Sequence, residues 1–386
     1  MKRANGEGSI AFNANRNRYE YRISYSDPCS GLTKRKTFTS KKSGADAKRK
    51  AKAFLNTLNG SPDLPQTLLA WLEYWLTDIK LNTLKPKTHE RYEGLIKLNI
   101  AQYPIAKTPL TEINSLKLQK HLNELIETGG VSNSGLSPRT VNATRRLLIA
   151  ALDWAVDTNL IPKNPARRTK PIAVTNTHFN VLTHEEGNAL IKAALKKNRY
   201  AWIIITIALG TGLRTAEIHG LEWKNIDFDN KTLTVEKTVV TTSKGKLIQD
   251  STKTSHSRRT IALPENVVSA LKRYRLWLKM KSIRFGWKTF DSPWVLPNEF
   301  GEPRSPSTFS AHWFKHLLND AGITRNVRIH DLRHTHATWL IGAGVNIKVV
   351  ADRLGHASIR ITLDTYSHVV DKMQEEAVNA LEKILI

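Results

Sequence analysis

Residues Arg328–His368 read RIHDLRHTHATWLIGAGVNIKVVADRLGHASIRITLDTYSH, and the rest of the chain is organised around them. A helix starting near Ile329 carries His330, Arg333 and His334 on one face and leaves Leu332, Trp339 and Leu340 to pack elsewhere. Gly342 and Gly344 end that helix, Asn346 caps the next, and the second closes at Leu354-Gly355-His356. His356 therefore stands just past a helix end, free to turn inward, and Tyr366 follows ten residues later. All of these side-chain types can meet a phosphate oxygen. The trio His330, His334 and His336 also admits a metal-site reading, but no second carboxylate or cysteine cluster stands at ligand spacing, so neither a metal nor a cofactor is expected.

Upstream, two further features bear on the same chemistry. The apolar run Ala201 to Leu209 reads as a helix that ends in Gly210-Thr211-Gly212-Leu213-Arg214-Thr215-Ala216-Glu217. Two glycines allow a tight turn, which lets Arg214 project from a buried support with Glu217 three residues on to orient it. A β-rich insert spans Asn225 to Leu263, and within it Leu247 to Ala262 reads as strand, turn, strand with Lys253 at the tip. A lysine there can reach into a neighbouring site. Taken singly, Arg214 with Glu217 is equally a surface pair, and Lys253 an ordinary hairpin lysine.

The composition bounds what such a cluster acts on. The chain has 386 residues, which suggests two or three domains, and 59 Lys plus Arg against 34 Asp plus Glu give a net charge of +25. An excess of this size points to a polyanion, with nucleic acid favoured because phosphate binding releases counterions. An anionic membrane surface is the alternative; no 18-residue apolar run is present and MKRANGEGSI lacks a signal-peptide apolar region, so no membrane partner is expected. Cys29 stands alone, which fits a reducing, cytoplasmic setting.

Residues 1–60 read as three strands and a helix. The alternation Tyr19-Glu20-Tyr21-Arg22-Ile23-Ser24-Tyr25 sets Tyr19, Tyr21, Ile23 and Tyr25 on one face, flanked by short strands at Ser9 to Phe12 and Thr33 to Phe38, with a helix from Ala45 to Leu58. This module holds 14 Lys or Arg against four acids, and a small sheet with basic edges can enter a major groove, so Arg16, Arg18, Arg22, Lys34 and Lys36 are the expected DNA contacts. After the linker Asn59 to Asp63, residues 65–165 carry helical patterns that fit a four-helix unit, with Ser137 capping a helix begun by Pro138. Lys87, Arg139 and Arg145 lie near such helix starts and are further expected backbone contacts. Asn164 to Pro171, basic and punctuated by proline, reads as a hinge into the largest domain. The expected fold is multidomain α+β: a three-stranded sheet with a helix, a helical bundle, and a mainly helical domain with a β insert.

TGLRTAE at 211–217, HDLRHTHA at 330–337, RLGH at 353–356 and DTYSHV at 364–369, with a hairpin lysine between the first two, resemble the signature boxes of the tyrosine recombinase, or phage integrase, family. The resemblance covers nearly the whole chain, including the SPRTVN and LIPKNP turns. It implies an arm-type DNA-binding domain at 1–60, a helical SAM-like core-binding domain at 65–165 and a catalytic domain at 175–386. It makes Tyr366 the nucleophile, Arg214 and Arg333 phosphate clamps, Lys253 a general acid, and His330 and His356 hydrogen-bonding or proton-transfer partners, with Glu217 in support. The implied activity is site-specific recombination of a mobile element of a phage or conjugative element through a 3′-phosphotyrosyl intermediate. The implied partners are double-stranded DNA at core and arm attachment sites, further copies in a tetramer, an excisionase and a host DNA-bending protein, in the cytoplasm of a bacterial host. The stripe Val370, Met373, Ala377, Leu381 and Ile384 is the expected assembly segment. A type IB topoisomerase shares the chemistry and a non-catalytic DNA-binding regulator shares the charge; the arm module argues against the first, the register of Tyr366 with two arginines against the second.

Overall fold

A computed structural model describes residues 8–26, 33–58, 65–174, 179–243, 245–250, 258–289 and 291–370, with 378, 382 and 385. The chain divides into two units, 1–176 and 177–386. Among the described residues no helix is long and apolar enough to cross a membrane.

The first unit begins with an antiparallel sheet of β1 (Ser9–Asn13), β2 (Arg18–Ser26) and β3 (Thr33–Ser40), followed by α1 (Gly44–Leu58). The β2 alternation does what its period predicts: Ile23 is buried, and Tyr25 meets Phe54 of α1 edge-on at 5.2 Å. Register assigns the remaining side chains. Arg18, Glu20 and Arg22 share the opposite face with Arg35, whereas Lys34 pairs with Tyr25 and Lys36 with Ile23 on the helix side. Four helices follow: α2 (Leu68–Tyr74), α3 (Pro86–Asn99), α4 (Ser115–Thr128) and α5 (Pro138–Asp157). α2 runs on into a wide π-type turn, Trp75–Ile79, which keeps Trp75 and Leu76 both buried. Trp71 is fully buried and donates its indole N–H to Ala151 O at 2.9 Å, tying α2 to α5. Ser137 caps α5 at the Thr140 N–H, with Pro138 in the first turn.

The expected hinge is instead packed structure. Pro165–Arg168 forms a 3₁₀ turn with Ala166 1 % exposed, Asn164 and Arg167 bind Asp153, and Asn142 holds both backbone groups of Ile172. Its prolines shape a turn whose polar groups find partners on α5, so the segment is part of the first unit's fold.

The second unit is built on α7 (Arg199–Thr211), whose sequence RYAWIIITIALGT is buried all round. Asn198 caps it, and α6 (His184–Lys197), α9 (Glu265–Phe285) and α12 (Asp331–Gly342) pack around it. Between α8 (Thr215–His219) and α9 lie β4 (Ile226–Asp227), β5 (Thr232–Val235), β6 (Lys237–Thr242), β7 (Gly245–Asp250) and β8 (Arg259–Ala262). Their pairing corrects the expected hairpin from Leu247 to Ala262: β7 pairs with β6, and β8 pairs with β5. Thr242 pairs with Gly245, so β7 follows β6 directly as its partner, and the β6–β7 ribbon is an insertion in sequence between the paired strands β5 and β8. After α9 come α10 (Pro306–Thr308), α11 (Phe314–Asp320), α12, α13 (Ile347–Leu354) and α14 (Ile359–Val370).

Candidate active site

α7 delivers Arg214. Gly212 follows the helix at φ +68°, and a Cβ there would lie 2.6 Å from the His336 ring, so both backbone and packing require glycine. Gly210 stands inside the helix for another reason: its missing side chain admits Val267 of α9. Arg214 is the N-cap of α8, and the Glu217 carboxylate accepts its backbone N–H at 2.9 Å and its Nη1 at 2.8 Å. Glu217 is 4 % exposed and also accepts two bonds from Arg259 of β8, the shorter at 2.9 Å. Burial raises the Glu217 carboxyl, but the Arg259 bonds and the charges of Arg259 and Arg214 outweigh it, leaving it below its ordinary value. A bonded carboxylate thus aligns Arg214, whose side chain remains 41 % exposed.

Arg333 projects from the first turn of α12, its Nη1 donating to Gly212 O at 2.8 Å and Nη2 to Leu354 O at 2.6 Å. It is 3 % exposed, and among the described residues it has no carboxylate within ion-pair distance. Burial, reinforced by the Arg214 charge, depresses it below the usual guanidinium value. Such a buried, under-compensated cation favours an incoming anion.

Two residues passed over in the sequence bind these elements together. Arg353 donates Nε to His336 Nε2 at 3.1 Å, Nη1 to Ala262 O at 2.9 Å and Nη2 to Gly210 O at 3.0 Å. Arg259 donates Nε to Arg353 O at 2.8 Å, and its guanidinium lies where a Cβ on Gly355 would stand. The ends of α7, β8 and α13 are thereby linked through side chain to main chain bonds, and α12 joins them through the His336 ring. Arg353 lies inside RLGH and Arg259 opens β8, but neither carried a spacing signal of its own.

His330 is the N-cap residue of α12, and Asn346 caps α13 as expected, its side chain accepting the Lys348 N–H. Gly355 ends α13 at φ +67°, turning His356 in, where Nδ1 meets Thr362 Oγ1 at 2.8 Å. Burial lowers both histidines, followed by the charges of Arg333 and Arg214, and His356 falls to about 4. Both rings are therefore neutral near neutrality and sit in the field of two guanidinium groups. Tyr366 interrupts α14 with φ −119° and ψ 16° and is 1 % exposed among Ala337, Ile341, Val350 and Leu354. Its hydroxyl bonds to His334 Nδ1 at 2.8 Å, and burial, opposed by Arg333, raises it to about 12.

Arg214, Glu217, His330, Arg333, His356 and Tyr366 thus converge on the ends of α7, α12, α13 and α14. Lys253 lies outside the described residues, as do Met373, Ala377, Leu381 and Ile384 of the C-terminal stripe. The three histidines of α12 take separate partners: His334 meets Tyr366 and His336 meets Leu209 O at 2.7 Å, while His330 turns edge-on to His334. In the first unit, Arg16 and Arg22 are exposed, and Arg18 and Arg22 are both held by Glu20. Lys36 sits over the Phe54 ring at 3.8 Å on the helix side, away from Arg18 and Arg22. Lys34 shares that side, so the four expected contacts on strands divide between two faces, because cross-strand partners point the same way, while Arg16 lies in the turn before β2. Arg35, opposite Ser24, shares the face of Arg18 and Arg22. Lys87 pairs with Glu90, Arg139 is exposed, and Arg145 binds Thr169 through three hydrogen bonds, bracing the 3₁₀ turn.

Comparison with known proteins extends this geometry to a family. Residues 180–373 match the phage integrase family, and residues 67–126 match the phage integrase N-terminal SAM-like domain. A XerC-like tyrosine recombinase from Caldanaerobacter subterraneus is 30 % identical over 365 residues, covering 89 % of this chain and 91 % of its own. The ICEBs1 integrase of Bacillus subtilis is 25 % identical, covering 78 % of this chain and 79 % of its own. Among solved structures, the Tn1549 transposon integrase in complex with a circular intermediate DNA has the same fold, with a TM-score of 0.66 at 22 % identity over 81 % of this chain and 99 % of that one. The chain belongs to the phage integrase family and is a tyrosine recombinase, a site-specific DNA recombinase.

Proposed function

We propose that this recombinase integrates and excises a mobile element by forming a 3′-phosphotyrosyl bond through Tyr366. The observation that carries the reading is Arg333, a buried guanidinium with main-chain acceptors and no carboxylate within ion-pair distance among the described residues, beside Arg214, His330, His356 and Tyr366. Attack on a phosphodiester gathers charge on the non-bridging oxygens, and Arg214 and Arg333 answer it with fixed forks. His330 and His356 donate hydrogen bonds to those oxygens, Glu217 aligns Arg214, and Lys253 protonates the leaving 5′ oxygen. The phosphotyrosyl bond conserves the energy of the broken strand, so a different 5′ hydroxyl can be rejoined without ATP.

The chain is assigned three functional parts: arm-site binding by 1–60, core-site binding by 65–165 and catalysis by 175–386. The outer face of the first sheet, with Arg18, Arg22 and Arg35, is suited to a major groove, and Arg16 and Arg139 to phosphates. Dimers and tetramers on DNA are the assemblies of the lambda integrase structures, and this chain is assigned the same tetramer on its core sites, held through its C-terminal segment in the cytoplasm of a bacterial host. An excisionase and a host bending protein complete the assembly.

Incubation with nicked suicide DNA spanning the element's attachment site tests the reading. Wild type should give a covalent adduct on a denaturing gel, and Tyr366→Phe none. Equal adduct from the variant, or none from wild type, refutes it, and recombination between two sites distinguishes a recombinase from a relaxing enzyme.

A further inference from the structure

Tyr366 meets a base to which the family resemblance assigns no role. Among the described residues its hydroxyl has one hydrogen-bond partner, His334 Nδ1, 2.8 Å away. The His334 ring is fixed on both sides: Phe179 stacks on it with 3.7 Å between centroids at 22°, and His330 stands edge-on at 5.1 Å and 90°. His330 makes no hydrogen bond to the phenol among the described residues. We infer that His334, rather than His330, accepts the Tyr366 proton as the phenol oxygen attacks phosphorus. The inference rests on the recombinase reading above and adds the identity of the base.

The step balances without a further reactant. As the Oη–P bond forms, the Oη proton passes to His334 Nδ1; the P–O5′ bond breaks and its oxygen takes a proton from the general acid. Rejoining reverses both transfers. The acid–base matching also works. The buried phenol stands at about 12, while the same oxygen bonded to phosphorus and still carrying its proton is a far stronger acid than imidazolium. A base that lies between these limits takes the proton in the transition state without ionising the resting tyrosine. His334 is such a base: burial lowers it to about 4, with the charge of His330 next, Asp331 opposing, and Arg333 and Arg328 adding. These groups from its own segment, with Tyr366 from α14 and the Phe179 ring, are its surroundings, and they keep the ring neutral and accepting near neutrality. The arriving phosphate anion then favours the imidazolium as it forms.

The pH dependence of single-turnover adduct formation on the nicked suicide duplex, from about pH 6 to about pH 9, is the test. Asparagine is the informative replacement, because its amide keeps a hydrogen-bonding atom near the Nδ1 position without being a base. Wild type should be flat within about threefold, and His334→Asn should be slower by about 10²- to 10⁴-fold near neutrality, gaining about tenfold per pH unit as hydroxide replaces the base. His330→Asn should be slower yet flat. A His334→Asn rate that matches wild type, or is lowered equally at every pH, overturns the inference, as does a slope acquired by His330→Asn. If melting shows that His334→Asn is unfolded, the other two proteins still decide: flat profiles in both support the inference, and a slope in either overturns it. No adduct from wild type at any pH strikes the recombinase reading itself, an outcome distinct from these.

Discussion

Glu217→Ala should be among the most damaging single changes outside the reacting groups. The carboxylate is 4 % exposed, and the Arg259 side chain opposite is 8 % exposed, so their ion pair is buried. Removing one member of such a pair leaves an uncompensated charge, at a cost of roughly 3–5 kcal/mol. The bond to Arg214 adds little, on the order of 0–1 kcal/mol, because that guanidinium is 41 % exposed and can return to water. Glu217→Gln keeps the shape and one acceptor oxygen but turns an amide toward a guanidinium, so roughly 1–3 kcal/mol is expected. In the folded fraction Arg214 loses its alignment, and adduct formation should fall about 10²- to 10³-fold. Urea titration followed by tryptophan fluorescence reads the stability, and suicide DNA reads the rate. The double variant Glu217→Ala with Arg259→Met separates charge from packing, since removing both charges should recover about 2 kcal/mol relative to the sum of the singles. Additive singles, or a Glu217→Ala loss below about 1 kcal/mol, would refute the buried-pair argument.

Three further outcomes are expected. Gly212→Ala should destabilise the second unit by about 1–3 kcal/mol, through the left-handed backbone and the His336 ring in its way, with a loss of adduct formation that exceeds the population unfolded. Acidification should weaken the second unit between about pH 6.5 and about pH 4: burial lowers His219 and His336 to about 4, so the unfolded chain takes up their protons first, and stability is complete above the unfolded value and fades as pH falls toward the folded one. Each site contributes up to about 3 kcal/mol, so His336→Gln should flatten the stability–pH curve measured by urea titration. Arg353→Lys should lower activity about tenfold or more while DNA binding in a gel shift changes little, since a single ammonium cannot serve His336, Ala262 O and Gly210 O together.

What could be read beforehand divides along physical lines. Alternation in Tyr19 to Tyr25, the caps Ser137 and Asn346 and the buried run of α7 are local, so their elements were legible from spacing. Arg214, Arg333, His356 and Tyr366 stood out because each falls beside a turn or helix end, and their roles were implied by the resemblance of their boxes to the family. Pairing of β5 with β8 across an intervening ribbon is non-local, and periodicity carries no information about it. The His334–Tyr366 contact bridges 32 residues and depends on how α12 and α14 pack. The hinge reading of Asn164 to Pro171 mistook proline and charge for freedom, where those residues find partners on α5. Arg259 and Arg353 gave no warning, because a single arginine on a strand or helix looks like any solvated one.

The guanidinium groups that organise this site take most of their acceptors from main-chain carbonyls, those of Gly210, Gly212, Ala262, Arg353 and Leu354. A carbonyl persists whatever side chain its residue bears. The constraint expected from this geometry is therefore one-sided: the donors should have to stay arginine, while acceptor positions such as Ala262 and Leu354 should be held only by volume and backbone angle and tolerate similar residues. Relatives of low overall identity can in this way retain one arrangement of cations, and a library randomised at those two acceptors should yield many more active recombinases than one randomised at Arg259, Arg333 or Arg353.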